Sequence, residues 1–332
     1  ELSPDYPSIM SAQFDTPILM IVFKRPETTG TVFKRIRELQ PKRLFVSGNA
    51  PRPGNISEVA ACKSVAQIFD QVDWPCDLVT NFRSNHLSAR ESISSGISWF
   101  FGLVDEGIIL EDDCVPTQSF FLFCANLLEK YRDNKRIMHI GGTNFQQGKR
   151  RGEADYYFSI YNHVWGWASW KRAWQNYDAD MKTYDKKDTE TLLKTMHPDK
   201  HFQNYWSDIF EKVKTRKIDT WDYQWTYAIW KNAGLSIVPQ VNMVSNIGFG
   251  PQATHTQSIN WQANLTAHEM YIKVHPSTIE VNKKADDFTS TVAYGIIIGW
   301  AKQMIWKLRA MFRIRTRLRQ RRDFFSRNSK CL

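Results

Sequence analysis

Four short apolar runs, separated by stretches with helical spacing, fill the first 110 residues and leave few folds open. Residues 18–23 (ILMIVF) are apolar without a break, as in a strand covered on both faces. A helix capped by Thr28 or Thr29 is predicted to follow, through about Leu39. Residues 43–47 (RLFVS) read as a second strand, and a Pro/Gly loop leads to a helix opening at Ser57, with Ala60, Ala61, Val65 and Ile68 on one side. Residues 77–80 (DLVT) and 107–110 (GIIL) give two more strands, with a helix from Ser88 carrying Ile93, Ile97 and Phe100 between them. This β-α-β-α-β-α-β order predicts a mainly parallel sheet with helices on both faces.

The second half is less regular. A helix is predicted at 117–132, a strand at 137–140, helices at 201–214 and 222–232, and short strands at 235–238 and 241–245. Residues from about 145 to 185 read as a long aromatic loop region, and 277–290 as a polar linker. At 332 residues, with 42% hydrophobic and 23% charged, the chain is long enough and apolar enough to bury a sizeable core.

Charge is concentrated rather than spread. The formal net charge is +10, but residues 302–322 carry nine Lys/Arg and no Asp/Glu, and the rest of the chain is within one charge of neutral. That argues against nucleic acid as a partner. From Gly295 onward, Ile297, Ala301, Met304, Ile305, Leu308, Met311 and Phe312 keep helical spacing beside the cations, and Trp300 and Trp306 suit headgroup depth. The expectation is a basic amphipathic helix on an anionic membrane surface, with a helix docked on a partner protein and an RNA-binding arm as the other readings. The five Cys (62, 76, 114, 124 and 331) include no CxxC pair, which disfavours a zinc site or a disulfide framework and fits a reducing compartment. No run of 18 apolar residues is present, so no membrane span is expected.

The chemistry is concentrated where the fourth run ends, at Glu111-Asp112-Asp113. Open parallel sheets bind ligands at the carboxyl ends of their strands. Three adjacent carboxylates need a cation or several donors to stay ionised, and hard cations such as Mg²⁺ and Mn²⁺ prefer oxygen ligands.

Taken in order, ILMIVFKRP, GIILEDDCVPTQSFF and VSNIGFG resemble the nucleotide-sugar-dependent glycosyltransferases of the GT-A type over about residues 15–275. The likeness is to the bacterial family-2-like group labelled HlpA-like or hemolytic proteins, and in motif to the Golgi enzymes that add N-acetylglucosamine to mannose. The resemblance implies a GT-A, Rossmann-like α/β fold with a mixed, mainly parallel sheet. The domain would span 1–285, with a nucleotide-sugar half at about 15–145 and an acceptor half at about 146–275, leaving 286–332 as linker and tail. It implies a metal-dependent inverting transferase, with Mn²⁺ or Mg²⁺ and a nucleotide-diphosphate sugar, a UDP-sugar being favoured, as donor. The acceptor would be a glycan or lipid-linked glycan, as in polysaccharide biosynthesis, and the enzyme cytoplasmic and peripheral on the inner face of the cell membrane.

Carried over residue by residue, the resemblance makes Asp113 the metal ligand, puts Asp112 near the ribose or a metal-bound water, and Glu111 beside the nucleotide or donor sugar. Lys24 and Arg25 would border the nucleotide, Asn49 would read the base, and Arg83 or Arg90 would compensate the diphosphate. Asp222, after Trp221 at the mouth of a helix, is the favoured general base, with Asp219 as its alternative or as the helix cap. His255, which follows Gly248-Phe249-Gly250 by a few residues, is a candidate second metal ligand. His139, inside a strand, reads as a satisfied core residue. Trp165, Gly166 and Trp167, in a segment with three Trp in six residues, would wall an acceptor or sugar pocket, with Trp221 nearby.

Two other readings compete. A sugar-phosphate nucleotidyltransferase would carry a Gly-rich loop after the first strand, where this chain has Lys24-Arg25-Pro26. A non-catalytic glycan-binding or scaffold protein on the same fold would not need the acidic triplet.

Overall fold

Each of the four apolar runs is a strand in the computed structural model, which describes residues 13–249, 261–262 and 265–297. They are β1 (Ile18–Val22), β2 (Arg43–Gly48), β3 (Asp77–Phe82) and β4 (Glu106–Glu111), and every pairing among them is parallel. The register sets Ile21 beside Ser47 and Glu111, and Val22 beside Gly48, so the carboxyl ends of β1, β2 and β4 come level.

The helices between them begin where local chemistry allows. α1 (Pro26–Leu39) starts at the proline, with no side-chain cap, rather than at Thr28 or Thr29. Pro suits this position because its missing N–H would be unpaired there anyway. α2 (Ile56–Ile68) is capped by Asn55, whose side chain accepts from the Glu58 N–H. α3 (Ala89–Leu103) starts as expected after Ser88, in a capping box with Glu91; such caps contribute about 1 kcal/mol each.

Burial on both faces explains the unbroken apolar run of β1. Ile18, Met20 and Val22 join the core under α1, with Val32, Phe33 and Ile36, while Leu19 and Ile21 face Ile97, Phe100 and Phe101 of α3. α4 (Gln118–Lys130) lies on the α1 face through Phe120, Phe123 and Leu127.

The remaining strands are β5 (Cys114–Pro116), β6 (Ile137–Gly141), β7 (Tyr156–Ser159), β8 (Trp167–Trp170), β9 (Leu235–Pro239) and β10 (Val244–Asn246). The eight-stranded sheet runs β3-β2-β1-β4-β8-β6-β9-β7, with β8 antiparallel to both β4 and β6. It is the mixed α/β sheet flanked by helices that was expected. β5 and β10 form a separate antiparallel pair. Helices α5 (Lys171–Trp174), α6 (Lys186–Met196), α7 (Lys200–Lys214) and α8 (Asp222–Lys231) cover the α3 face, where Trp174, Trp206, Trp225 and Trp230 are buried.

Two expectations are corrected. The aromatic region 145–185 contains β7, β8 and α5 and supplies core strands to the sheet. The polar stretch 277–290 is not a linker throughout, since α9 (Lys283–Tyr294) runs across the proposed boundary at 285–286 and docks on β7. Its Asp286 accepts from the Ser159 hydroxyl and the Ile160 N–H, and Ser290 pairs with Tyr161. Gly295, in the left-handed region at φ 67°, ends that helix. Residues 298–332, which hold most of the basic tail, lie outside the described residues. Among the described residues no helix is long and apolar enough to cross a membrane.

Candidate functional site

A cavity of about 590 Å³ opens at the carboxyl ends of β1, β2 and β4. Its wall includes Phe23, Lys24 and Arg25 from the end of β1, Asn49 and Arg52 after β2, and His86, Leu87 and Ser88 before α3. Glu111, Asp112 and Asp113 form one side, and Trp165, Asp219, Asn246, Gly248 and Phe249 complete the wall.

Charge in this cavity is unbalanced. Asp112 and Asp113 are buried, and Arg25 bridges them, one guanidinium nitrogen on Asp112 and the other 2.9 Å from Asp113. The Phe23 N–H adds a bond to Asp112 at 3.3 Å. Asp113 is also held by β5, β10 and the residue after β10. Its carbonyl accepts from the Ile247 N–H at 2.9 Å, and Asn246 and Cys114 each lie 3.4 Å from Oδ1. Gly248 packs so closely that a Cβ there would stand 1.9 Å from Asp113 Oδ2.

With one guanidinium against three carboxylates, the triplet carries a formal surplus of two negative charges. Burial and the charges of Asp113 and Asp112 raise the Glu111 pKa, with Arg25 opposing. Asp112 is raised by burial and by Asp113 against the pull of Arg25. The Arg25 pKa is raised by Asp112 and Asp113 although burial works against it. A divalent cation there would offset the mutual repulsion that raises these carboxyls, and the donors are all oxygens, so the triplet fits Mn²⁺ or Mg²⁺. Among the described residues no group of three or more His, Cys, Asp or Glu side chains is arranged to cage a metal. One or two carboxylates completed by water and phosphate oxygens is the usual arrangement for Mg²⁺. His255 lies outside the described residues.

Other expected contacts are redistributed. Lys24 bonds Glu58 at 2.6 Å. Asn49 stands in the wall, but its amide donates to the Leu87 carbonyl and its oxygen accepts from the Ala50 and Leu87 N–H groups. It pins the loop before α3 and is not set to read a base. Arg83 turns to Ser47 and Ser95, at 3.0 and 2.7 Å, and Arg90 is buried facing Asp219 and Asp180, at 3.6 and 3.8 Å. Neither is among the cavity-lining residues, so neither is placed on a diphosphate.

The tryptophans divide. Trp165 lines the cavity, edge-on to Phe249 at 5.5 Å. Gly166 holds φ 67°, and a Cβ there would meet Val244 at 2.7 Å. Trp167 and Trp221 are buried and stacked on each other at 5.8 Å. They are core residues rather than sugar walls, because β8 carries Trp167 to the α3 face. His139 is the satisfied core residue expected of it, with Nε2 on the His163 carbonyl and Nδ1 accepting from Trp225, and burial holds its pKa down at about 3.

The two candidate bases differ in setting. Asp222 is the first residue of α8, accepts from the Thr220 hydroxyl, and its charge helps raise Glu111, which puts it near the triplet. Asp219 does not cap α8; it lines the cavity with half its side chain exposed.

Sequence reasoning missed Phe23, Arg52 and Glu58. The one usable signal was Glu58, three residues after Asn55, which reads as ordinary helix-start chemistry.

No protein-family model and no curated protein sequence matches the chain. Among solved structures, it is similar to mouse xyloside xylosyltransferase 1, with 11% identity over 65% of this chain and 81% of that one and a TM-score of 0.33. UTP-bound UGPase from Acinetobacter baumannii matches at 7% identity over 70% and 88%, TM-score 0.34. HddC from Yersinia pseudotuberculosis matches at 8% over 51% and 80%, TM-score 0.29. At these scores the likenesses carry no weight for what the chain does.

Proposed function

We propose that this chain moves a sugar from a nucleotide-diphosphate sugar, a UDP-sugar by preference, to a hydroxyl of a glycan or lipid-linked glycan, with inversion at the anomeric carbon. The observation that supports this reading is the acidic triplet at the end of β4, whose buried Asp112 and Asp113 share a single guanidinium, opening on a cavity large enough for a nucleotide. Asp112 and Asp113 would hold Mn²⁺ or Mg²⁺, which when bound neutralises charge on the departing diphosphate.

The chain's own groups do the rest. Arg25 gives the diphosphate a guanidinium beside the carboxylates it already bridges. Trp165 offers an indole face to a sugar ring. Asp222 takes the proton from the acceptor hydroxyl as that oxygen attacks. Asp219, standing in the cavity wall itself, is the second choice for the base. The basic segment 302–322 would hold the enzyme to an anionic membrane at its cytoplasmic face, close to lipid-linked acceptors.

The test is transfer from a panel of labelled nucleotide sugars to glycan acceptors, with Asp113→Asn and Asp222→Asn beside the unaltered chain. Asp222→Asn is expected to cost about 10²- to 10⁴-fold in turnover with donor affinity kept, and Asp113→Asn to lose Mn²⁺-dependent donor binding. Undiminished turnover in Asp222→Asn moves the role to Asp219. No transfer from any donor, with no nucleotide bound, sinks the reading.

A further inference from the structure

Among the described residues, Asp219 is the one carboxylate of the cavity wall that does not belong to the triplet. It stands in the turn between α7 and α8, and that turn is pinned on both sides of it. Before it, the Lys217 and Ile218 N–H groups donate to the Lys212 carbonyl at 2.8 and 3.3 Å, and Ile218 packs into the core of the α3 face. After it, the Thr220 carbonyl accepts from the Gln224 amide at 2.6 Å, and the Thr220 hydroxyl donates to Asp222. The backbone is fixed, while the Asp219 side chain stays 53% exposed.

Behind it stands a cation in an unfavourable place. Arg90 is buried in the first turn of α3, where the helix dipole disfavours positive charge. Its Nε has no hydrogen-bond partner among the described residues and faces Asp219 Oδ1 at 3.6 Å. Its other neighbours, the Ala179 carbonyl at 3.5 Å and Asp180 at 3.8 Å, belong to residues outside the cavity wall. Arg90 is the only partner of Asp219 among the described residues, and it engages Oδ1 alone. Oδ2 is left for a ligand. The cations that do line the cavity, Lys24, Arg25 and Arg52, are each bonded to Glu58, Asp112 or Asp113.

We infer that Asp219, held by Arg90, selects the acceptor: it receives hydroxyl or ammonium hydrogens of a neutral or cationic sugar and excludes a reacting sugar that carries a carboxylate. The inference rests on the transferase reading above, with Asp222 as base. A hydroxyl that gives its proton to Asp222 brings the rest of its ring beside the α7–α8 turn, where Asp219 stands three residues before the base. An ionised carboxylate accepts strongly from hydroxyl and ammonium groups and offers no donor in return. A uronic acid placed there sets like charges together, with the one cation of that turn already on Asp219.

Transfer from labelled nucleotide sugars, with Mn²⁺, tests this on methyl glycosides of glucose, galactose, mannose, N-acetylglucosamine and glucosamine, and on the matching glucuronide, galacturonide and mannuronide. Expected is at least one neutral or amino sugar with a KM about tenfold or more below that of every uronide. Asp219→Ala should raise the KM of that acceptor about tenfold, with kcat and donor KM little changed. Asp219→Asn should narrow the gap to the uronides. Melting curves check that Arg90, which keeps Asp180, still seats α3 in both variants. A uronide used as well as the neutral sugars overturns the inference, and so does a gap that survives Asp219→Asn. A fall of about 10²-fold or more in kcat with acceptor KM kept makes Asp219 the base and also overturns it. In each of these cases transfer itself is seen, so the transferase reading stands. Absence of transfer to any acceptor from any donor fails that reading instead.

Discussion

Asp286 makes the chain less stable as pH rises toward neutrality, contrary to the usual behaviour of a carboxylate. It is buried in α9, with the Ser159 hydroxyl at 2.5 Å and the Ile160 N–H at 3.1 Å. Burial raises its pKa from 3.8 to about 7, those two bonds oppose the shift, and Asp287 adds to it. The folded chain therefore binds a proton that the unfolded chain has released. The stabilisation is complete below about pH 4 and is lost as pH rises through 7. The full displacement corresponds to at most about 4 kcal/mol, and the part between pH 5 and 7.5 to about 2–3 kcal/mol. Asp286→Asn keeps the shape and removes the titration. Its amide oxygen accepts from Ile160 and its NH₂ faces a Ser159 hydroxyl that can turn to accept. Urea unfolding of both proteins at pH 5, 6, 7 and 8 isolates this group, because all others titrate alike in the two. Asp286→Asn should gain on the unaltered chain mainly between pH 5 and 7 and level off by pH 8. A stability difference that does not change with pH refutes the reasoning.

Three further outcomes follow from the geometry. Gly248→Ala drives a methyl to within 1.9 Å of Asp113 Oδ2; displaced by such a contact, the site should lose about 10²-fold in turnover with little change in melting temperature. Arg25→Met removes the cation bridging Asp112 and Asp113; calorimetry should show tighter binding of Mn²⁺ alone and weaker binding of the nucleotide, and effects of the same sign on both would count against the bridge. Trp167→Ala empties a fully buried position among Trp174, Trp221 and Trp225; unfolding should show a loss of about 3–5 kcal/mol, and a near-neutral result would restore Trp167 as a pocket residue.

The sheet was legible where strands are buried on both faces, because an unbroken run such as Ile18–Val22 has no helical alternative of that length. β8 was not. Its residues alternate, Trp167 to the α3 face and Ala168 and Trp170 to the α4 face, but four residues holding Ala and Ser give too short a pattern to register. The three neighbouring Trp therefore read as one ligand-facing cluster, although only Trp165, just before the strand, reaches the cavity. α9 was lost for a related reason. Its buried side includes Asp286 and Ser290, polar residues whose partners on and just after β7 lie about 130 positions away.

In the site, position was legible and pairing was not. Strand order alone puts Lys24, Arg25, Asn49, Arg83 and Glu111–Asp113 at the carboxyl ends of β1 to β4. Which cation answers which anion depends on side-chain direction, and the five basic residues there choose differently. Arg83 goes to serines, Arg90 to Asp180 and Asp219, Lys24 and Arg52 to Glu58, and Arg25 to the triplet. The choice follows from burial. Glu58 and Asp112 are the most enclosed carboxylates near the cavity. An ionised carboxylate out of reach of water must be paired, and it draws the nearest cations that can give up their own hydration. Glu58 draws two and is neutralised with one charge to spare. The triplet draws one and stays short of cations, so the cavity is positive beside Glu58 and negative at the end of β4. A single ligand that carries acceptors at one end and recruits a divalent cation at the other satisfies both, and a nucleoside diphosphate is the simplest molecule with that layout.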